Sequence, residues 1–186
     1  MAARFTKTTV EEARAMLAAH PMLMYLGFAG VSDDPRKQAI FCGYWYSQEK
    51  LDQKREQMLA CLDEVDTCRR FLRPLPIQPR VSHLSSGSYG LKHQVEHWVD
   101  AQGLEHQYIC NGSAILAALL ERIPVHRPAA RVGAMHNEPN ALIGVTYKAT
   151  QKVIDALRRE RAAEATRDWW RKHAPGVPLP RSLMAS

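Results

Sequence analysis

A helix-period stripe closed off by prolines constrains this chain more than any other feature. From Ser47 to Leu72, apolar residues recur at Leu51, Met58, Leu62, Val65, Cys68 and Leu72. Steps of three, four and seven align them on one side of a single long amphipathic helix. Pro74, Pro76 and Pro79 follow. Each lacks an N–H and biases its predecessor away from the α region, so this segment is a connector.

The other elements are read around that helix. Thr8 and Thr9 ahead of Glu11 and Glu12 form a threonine-x-x-glutamate capping box in either register, which predicts a helix from about 9 to 19 that stops at His20-Pro21. The segment 39–46, "AIFCGYWY", follows an Asp-Asp-Pro turn and reads as a short strand, with helix as the other reading. Helices are expected at 88–100 and 111–122, the second with Asn111 or Ser113 as its N-cap and with Ile115, Leu116, Leu119, Leu120 and Ile123 as a wide core face. The run "ALIGVTY" at 141–147 reads as a strand, and Thr150 is the expected cap of a last helix reaching His173. The fold class is therefore mainly α with one or two short strands, α+β being the variant. The expected organisation is one compact helical domain over 1–174 and a Pro-rich tail over 175–186. If both strands form, they pair with each other, because a lone strand leaves its backbone groups unsatisfied.

Composition excludes several classes. Apolar residues make up 46% and charged residues 24%, as in globular domains rather than disordered or fibrous chains. The most apolar run, "MLMYLGFAGV" at 22–31, is far short of the roughly 20 residues a spanning helix needs. The N-terminal residues lack the apolar run of a signal peptide, so no membrane partner and a cytoplasmic location are expected. Cys42, Cys61, Cys68 and Cys110 form no C-x-x-C pair and read as free, mostly buried thiols.

Charge is segregated. The net charge is +6, and from Tyr147 onward nine Lys or Arg face four acids. A second basic block, 69–95, holds Arg69, Arg70, Arg73, Arg80 and Lys92 with no Asp or Glu, whereas 47–68 leans acidic. This pattern suits either a polyanion partner or merely solvated helix faces.

Residues 85–98, "SSGSYGLKHQVEHW", carry the densest set of polar groups. On a helix, Leu91, Val95, Trp98 and Val99 fall on one side, and His93, Glu96 and His97 on the other, facing outward or into a cleft. Two readings follow. His93-x-x-Glu96-His97 matches an inverted zinc-protease pattern, with zinc as cofactor, His93 and His97 as metal ligands and Glu96 as the base on a metal-bound water. A third ligand is then required, from Glu105, His106, Glu121, His126 or His136, and nothing in their spacing selects one. The second reading has no cofactor: Tyr89, Lys92 and His93 follow an Arg-containing connector and a serine-glycine helix start, where the dipole favours anions. Lys92 and Glu96 also read as an ordinary surface pair four residues apart. The adjacent Trp169 and Trp170 could stack on bases, but docking of one ring onto the core is preferred.

The runs "AAHPMLMYLGFAGVSDD", "SSGSYGLKHQVEHW", "YICNGSAILAALL" and "NEPNALIGV" together resemble a family of small uncharacterised proteins carried by bacterial phages, plasmids and integrative elements. The resemblance spans roughly 15–147 and rests on the Y-G-L-K-H-x-V-E and Y-x-x-N-G blocks, which name Tyr89, Lys92, His93, Glu96, Asn111 and Gly112. The last basic helix and the tail lie outside it. It implies a setting, since accessory proteins of mobile elements act in DNA transactions or against host defence systems, and it brings no catalytic residue or cofactor.

The resulting expectation is a non-enzymatic protein binding nucleic acid or a nucleoprotein complex, with counter-defence against a host protein as its role. The expected contacts are Arg69, Arg70, Arg73, Arg80, Tyr89, Lys92, His93, Arg158, Arg159 and Arg161. A metal-dependent hydrolase and a pure protein–protein module are the alternatives.

Overall fold

Thr9 starts the first helix in the way its sequence dictates. Its Oγ1 accepts from the Glu12 amide at 3.1 Å and its own amide donates to Glu12 Oε2 at 3.0 Å, giving a reciprocal box ahead of α1 (Val10–Ala19). The computed structural model describes residues 5–34, 45–128, 138–174 and 177–178. After α1 come the two-residue strands β1 (Leu23–Met24), β2 (Gly27–Phe28), β3 (Gly30–Val31) and β4 (Trp45–Tyr46). β1 and β2 form an antiparallel hairpin, and β3 pairs with β4 in parallel. Gly27 has φ +114°, and a Cβ there would stand 2.3 Å from the Pro139 carbonyl oxygen and 2.4 Å from Asn111 Nδ2. Only glycine suits that position.

The stripe from Ser47 to Leu72 forms two helices rather than one, α2 (Gln48–Ala60) and α3 (Leu62–Leu72), with Cys61 out of helical geometry between them. Leu51, Met58, Val65, Cys68 and Leu72 are nonetheless all buried. The face of the stripe is as expected, but the helix is not continuous: the Cys61 amide turns to the Met58 carbonyl three residues back at 3.1 Å, and the α-helical ladder breaks there.

The connector leads to β5 (Ser85–Gly87), then α4 (Ser88–Ala101), α5 (Asn111–Leu120), β6 (Val125–His126), β7 (Leu142–Thr146) and α6 (Tyr147–His173). α5 is buried at every position from Asn111 to Ala118, and it packs on α1, α3 and α4 as the centre of the core. A helix apolar all round belongs in that place. Its N-cap is Cys110, not Asn111 or Ser113, and Cys110 makes no side-chain cap; a carboxylate from α3 replaces it.

β7 forms as expected, but its partners differ. It lies between β5 and β6 in an antiparallel sheet, with Ser86 and Val125 both facing Ile143, while the described end of segment 39–46, Trp45–Tyr46, pairs with β3. Backbone groups were satisfied by strands too short to stand out as patterns. Residues 39–44, Cys42, His136 and most of the proline-rich tail lie outside the described residues.

The cap of α6 is Thr146, four residues before the expected Thr150. Thr146 Oγ1 accepts from the Ala149 amide at 3.1 Å, and Thr150, fully buried, donates to the Tyr147 carbonyl instead. The protein is a single mainly α domain with short strands. No helix among the described residues is long and apolar enough to cross a membrane.

Candidate nucleic-acid interface

On α4, the polar face expected outward or in a cleft is partly buried. Lys92 is 5% and Glu96 7% exposed, so their pairing is buried, contrary to the expected surface pair. Lys92 Nζ donates to Glu96 Oε1 at 3.2 Å, the Ile109 amide donates to the same oxygen at 3.1 Å, and His93 Nδ1 lies 2.7 Å from Oε2. Burial alone would push the Glu96 carboxyl up; the Ile109 amide, His93 and Lys92 outweigh it and hold the group below its ordinary range. The Lys92 ammonium also lies 5.3 Å from the Tyr89 ring centre and 4.9 Å from that of Tyr108, a cation held between two half-exposed rings. His93 meets the Tyr89 ring edge-on.

A second buried carboxylate, missed in the sequence, completes this network. Glu64 Oε2 accepts from the Cys110 amide at 2.7 Å and Ser113 Oγ at 3.0 Å, and Oε1 accepts from the Tyr25 hydroxyl at 2.9 Å. Glu96 and Glu64 thus grip consecutive amides, Ile109 and Cys110, where the chain enters α5, and the negative charge of Glu64 sits at the positive end of that helix. Burial, then Glu64, pushes the Cys110 thiol up to about 11, which leaves it an unreactive thiol. The available signal was spacing: Glu64 stands four residues before Cys68, on the flank of the buried stripe.

This arrangement bears on the zinc reading. A base acting on metal-bound water needs a carboxylate oxygen facing the metal, and both oxygens of Glu96 are already engaged, one by an ammonium. His97 is exposed; among the other expected ligands, His106 pairs with Asp100, Glu121 is bound by arginines, and Glu105 and His126 are exposed. Among the described residues no group of three or more His, Cys, Asp or Glu is arranged to hold a metal ion.

The arginines of α3 divide. Arg69 Nε lies 2.6 Å from Glu121 Oε1 and Arg73 Nε 3.0 Å from Oε2, and Arg69 also donates to Thr8 Oγ1 at 2.7 Å. Burial would raise the Glu121 carboxyl, but Arg73 and Arg69 hold it below its ordinary range. All three α3 guanidinium groups, including that of Arg70, gather within 5.6 Å of the Phe5 ring centre. Arg69 and Arg73 thereby tie the α3 end to the end of α5. Arg70 and Arg80 are exposed and make no ion pair among the described residues.

α6 is different. Thr150, Ile154, Val153 and Leu157 face the core, and none of the residues from Arg158 to His173 is buried against the described chain. Arg161 marks the changeover: its guanidinium donates to the carbonyls of Asp100 and Ala101 at 3.3 and 3.2 Å, over Gly103, where a Cβ would stand 2.3 Å from it. It caps the C-terminal end of α4, so it is not brought to the same use as Arg158 and Arg159. At 1.5 Å per residue the helix continues about 18 Å beyond that point.

At 100° per residue the charges of α6 separate. Lys148, Lys152 and Arg159 fall within about 40° of one another, opposite the core-facing residues, with Asp155 beside them and Arg158 and Trp169 flanking on that side; Lys172 falls in line with Ile154, beyond the core. Glu160, Glu164 and Asp168 fall together on the other side of the helix, as four-residue spacing requires. Lys148, Lys152, Arg158, Arg159 and Lys172 make no ion pair among the described residues. Neither tryptophan docks onto the core as expected, because both stand twelve or more residues beyond Leu157, where the helix has left the core. Trp169 is 56% exposed, and Trp170 Nε1 donates to the Val177 carbonyl at 3.0 Å.

No family model, no curated protein and no solved structure matches this chain.

Proposed function

We propose that this protein is a non-enzymatic accessory protein of a mobile element that binds nucleic acid, alone or within a nucleoprotein complex, through α6. The observation that carries this reading is the uneven charge of α6: Lys148, Lys152, Arg158 and Arg159 without carboxylate partners among the described residues on its outer side, and three of its four acids on another. The setting comes from the resemblance of the Ser85–Trp98 and Tyr108–Gly112 blocks to proteins of phages, plasmids and integrative elements. In that setting, interference with a host defence complex that holds nucleic acid is the role such a surface serves. Within the earlier residue set, Arg158 and Arg159 form the contact, with Arg70 and Arg80 as a second exposed pair. Arg69, Arg73, Arg161, Lys92 and His93 support the scaffold, and Tyr89 covers Lys92.

Phosphate neutralisation releases counterions, so log affinity falls with log salt by about 0.9 per phosphate contacted on duplex DNA. Titration of a labelled oligonucleotide at several salt concentrations is expected to show a steep slope, and Arg158→Ala with Arg159→Ala is expected to reduce it by about two. Absence of binding near about 50 mM salt, or a slope of zero, rejects the reading.

A further inference from the structure

We infer that Trp169 is a stacking platform for an unpaired base, so that the nucleic acid held by α6 is single-stranded where it meets this residue; the inference rests on the reading of α6 just given. Trp169 and His173, four residues apart, stack with ring centres 4.7 Å apart and planes only 18° apart. His173 thus covers part of one face of the indole and fixes its plane, while the side chain as a whole stays 56% exposed. Trp170 is held differently, its Nε1 bound to the Val177 carbonyl, and its ring is tilted 57° from that of Trp169. One indole is therefore tied to the chain and the other is left open.

The neighbours of the open ring decide what suits it. Its own side of the helix from 158 to 173 carries Arg158, Ala162, Ala165 and Lys172, with no aliphatic side chain larger than alanine. A protein-docking surface surrounds its anchor with apolar contacts that exclude water. Here the surround is cationic and wet. A strand whose phosphates meet Arg158 and Lys172 brings its bases to an indole held flat, and every base has a π-face to offer. A duplex keeps those faces inside its own stack, so a flat open ring contributes nothing to binding it.

The test uses the full chain with fluorescein-labelled oligo(dT), oligo(U) and a duplex of equal length, read by anisotropy across salt concentrations. Trp169→Ala is expected to weaken binding of the preferred single strand roughly tenfold, to leave its salt slope unchanged and to change duplex affinity less than twofold. Trp169→Phe is expected to retain most of the single-strand affinity. Because the side chain is exposed, unchanged circular dichroism and urea midpoint are expected for both variants. No loss in Trp169→Ala, or an equal loss on single strand and duplex, overturns the inference while salt-dependent binding upholds the wider reading. Failure of the wild type to bind any of the three probes overturns that reading itself.

Discussion

The basic block of α3 and α4 and the basic helix α6 use the same residue types to opposite ends. Arg69, Arg73 and Lys92 each meet a carboxylate contributed by the fold, Glu121 or Glu96, at 2.6–3.2 Å. Lys148, Lys152, Arg158, Arg159 and Lys172 meet none among the described residues. For Arg69 and Lys92, whose side chains are 11% and 6% exposed, the difference lies in depth rather than in composition; Arg73, at 35%, shares the carboxylate that Arg69 holds. An ammonium or guanidinium drawn inside must bring its counter-charge with it, since an unpaired buried ion costs several kcal/mol. A cation beyond the core keeps its water until a polyanion displaces it. An acid-free stretch of sequence is therefore weak evidence for a phosphate-binding surface, and the angular position of the acids on a helix is stronger evidence.

The largest effect that would break this contrast is on stability in the first region. Glu96→Ala strands the Lys92 ammonium and the Ile109 amide, and a loss of about 3–5 kcal/mol in urea unfolding is expected, whereas Lys92→Met with Glu96→Leu should recover much of it. A loss below 1 kcal/mol for Glu96→Ala would mean that the pair is hydrated after all. Next, Arg69→Ala removes charge-assisted hydrogen bonds to Glu121 and Thr8 and should cost about 1.5–3 kcal/mol, against no more than about 0.5 for the exposed Arg70→Ala. Equal costs for the two would erase the division drawn within α3.

In the second region, the double change Arg158→Ala and Arg159→Ala should move stability by less than about 0.5 kcal/mol. Its effect is confined to the salt slope of nucleic-acid binding. The smallest effect is on pH dependence. Glu96 and Glu121 are held below their ordinary 4.5 in the folded protein, so their contribution is complete above the unfolded value and is lost as pH falls through the lower folded values. Urea midpoints should therefore decline below about pH 4.5 and decline less in Glu121→Gln. An equally steep decline in that variant would assign the acid sensitivity to Glu96 and other carboxylates.

Legibility varied from residue to residue for physical reasons. The capping box of α1 was readable because both of its hydrogen bonds join residues three apart. α5 was readable because a helix apolar on every side has no place other than the core. The break at Cys61 was not, since a buried stripe continues across it without change of period. The register of α6 was missed by four residues because Thr146 and Thr150 offer the same side-chain oxygen to a helix start, and only the end of β7 chooses between them. The candidate site was legible as a set of names and misread as a surface: a lysine and a glutamate four residues apart look the same whether water or Ile109 faces them.

Local chemistry, then, settled which segments are helical, where most of them begin and which side of each is apolar, because those choices depend on contacts within one or two turns. Packing alone decided which charges are enclosed and which are offered to a partner. Enclosure depends on residues far apart in the chain, such as Glu64 with Cys110 or Arg69 with Glu121, and no local period records their meeting.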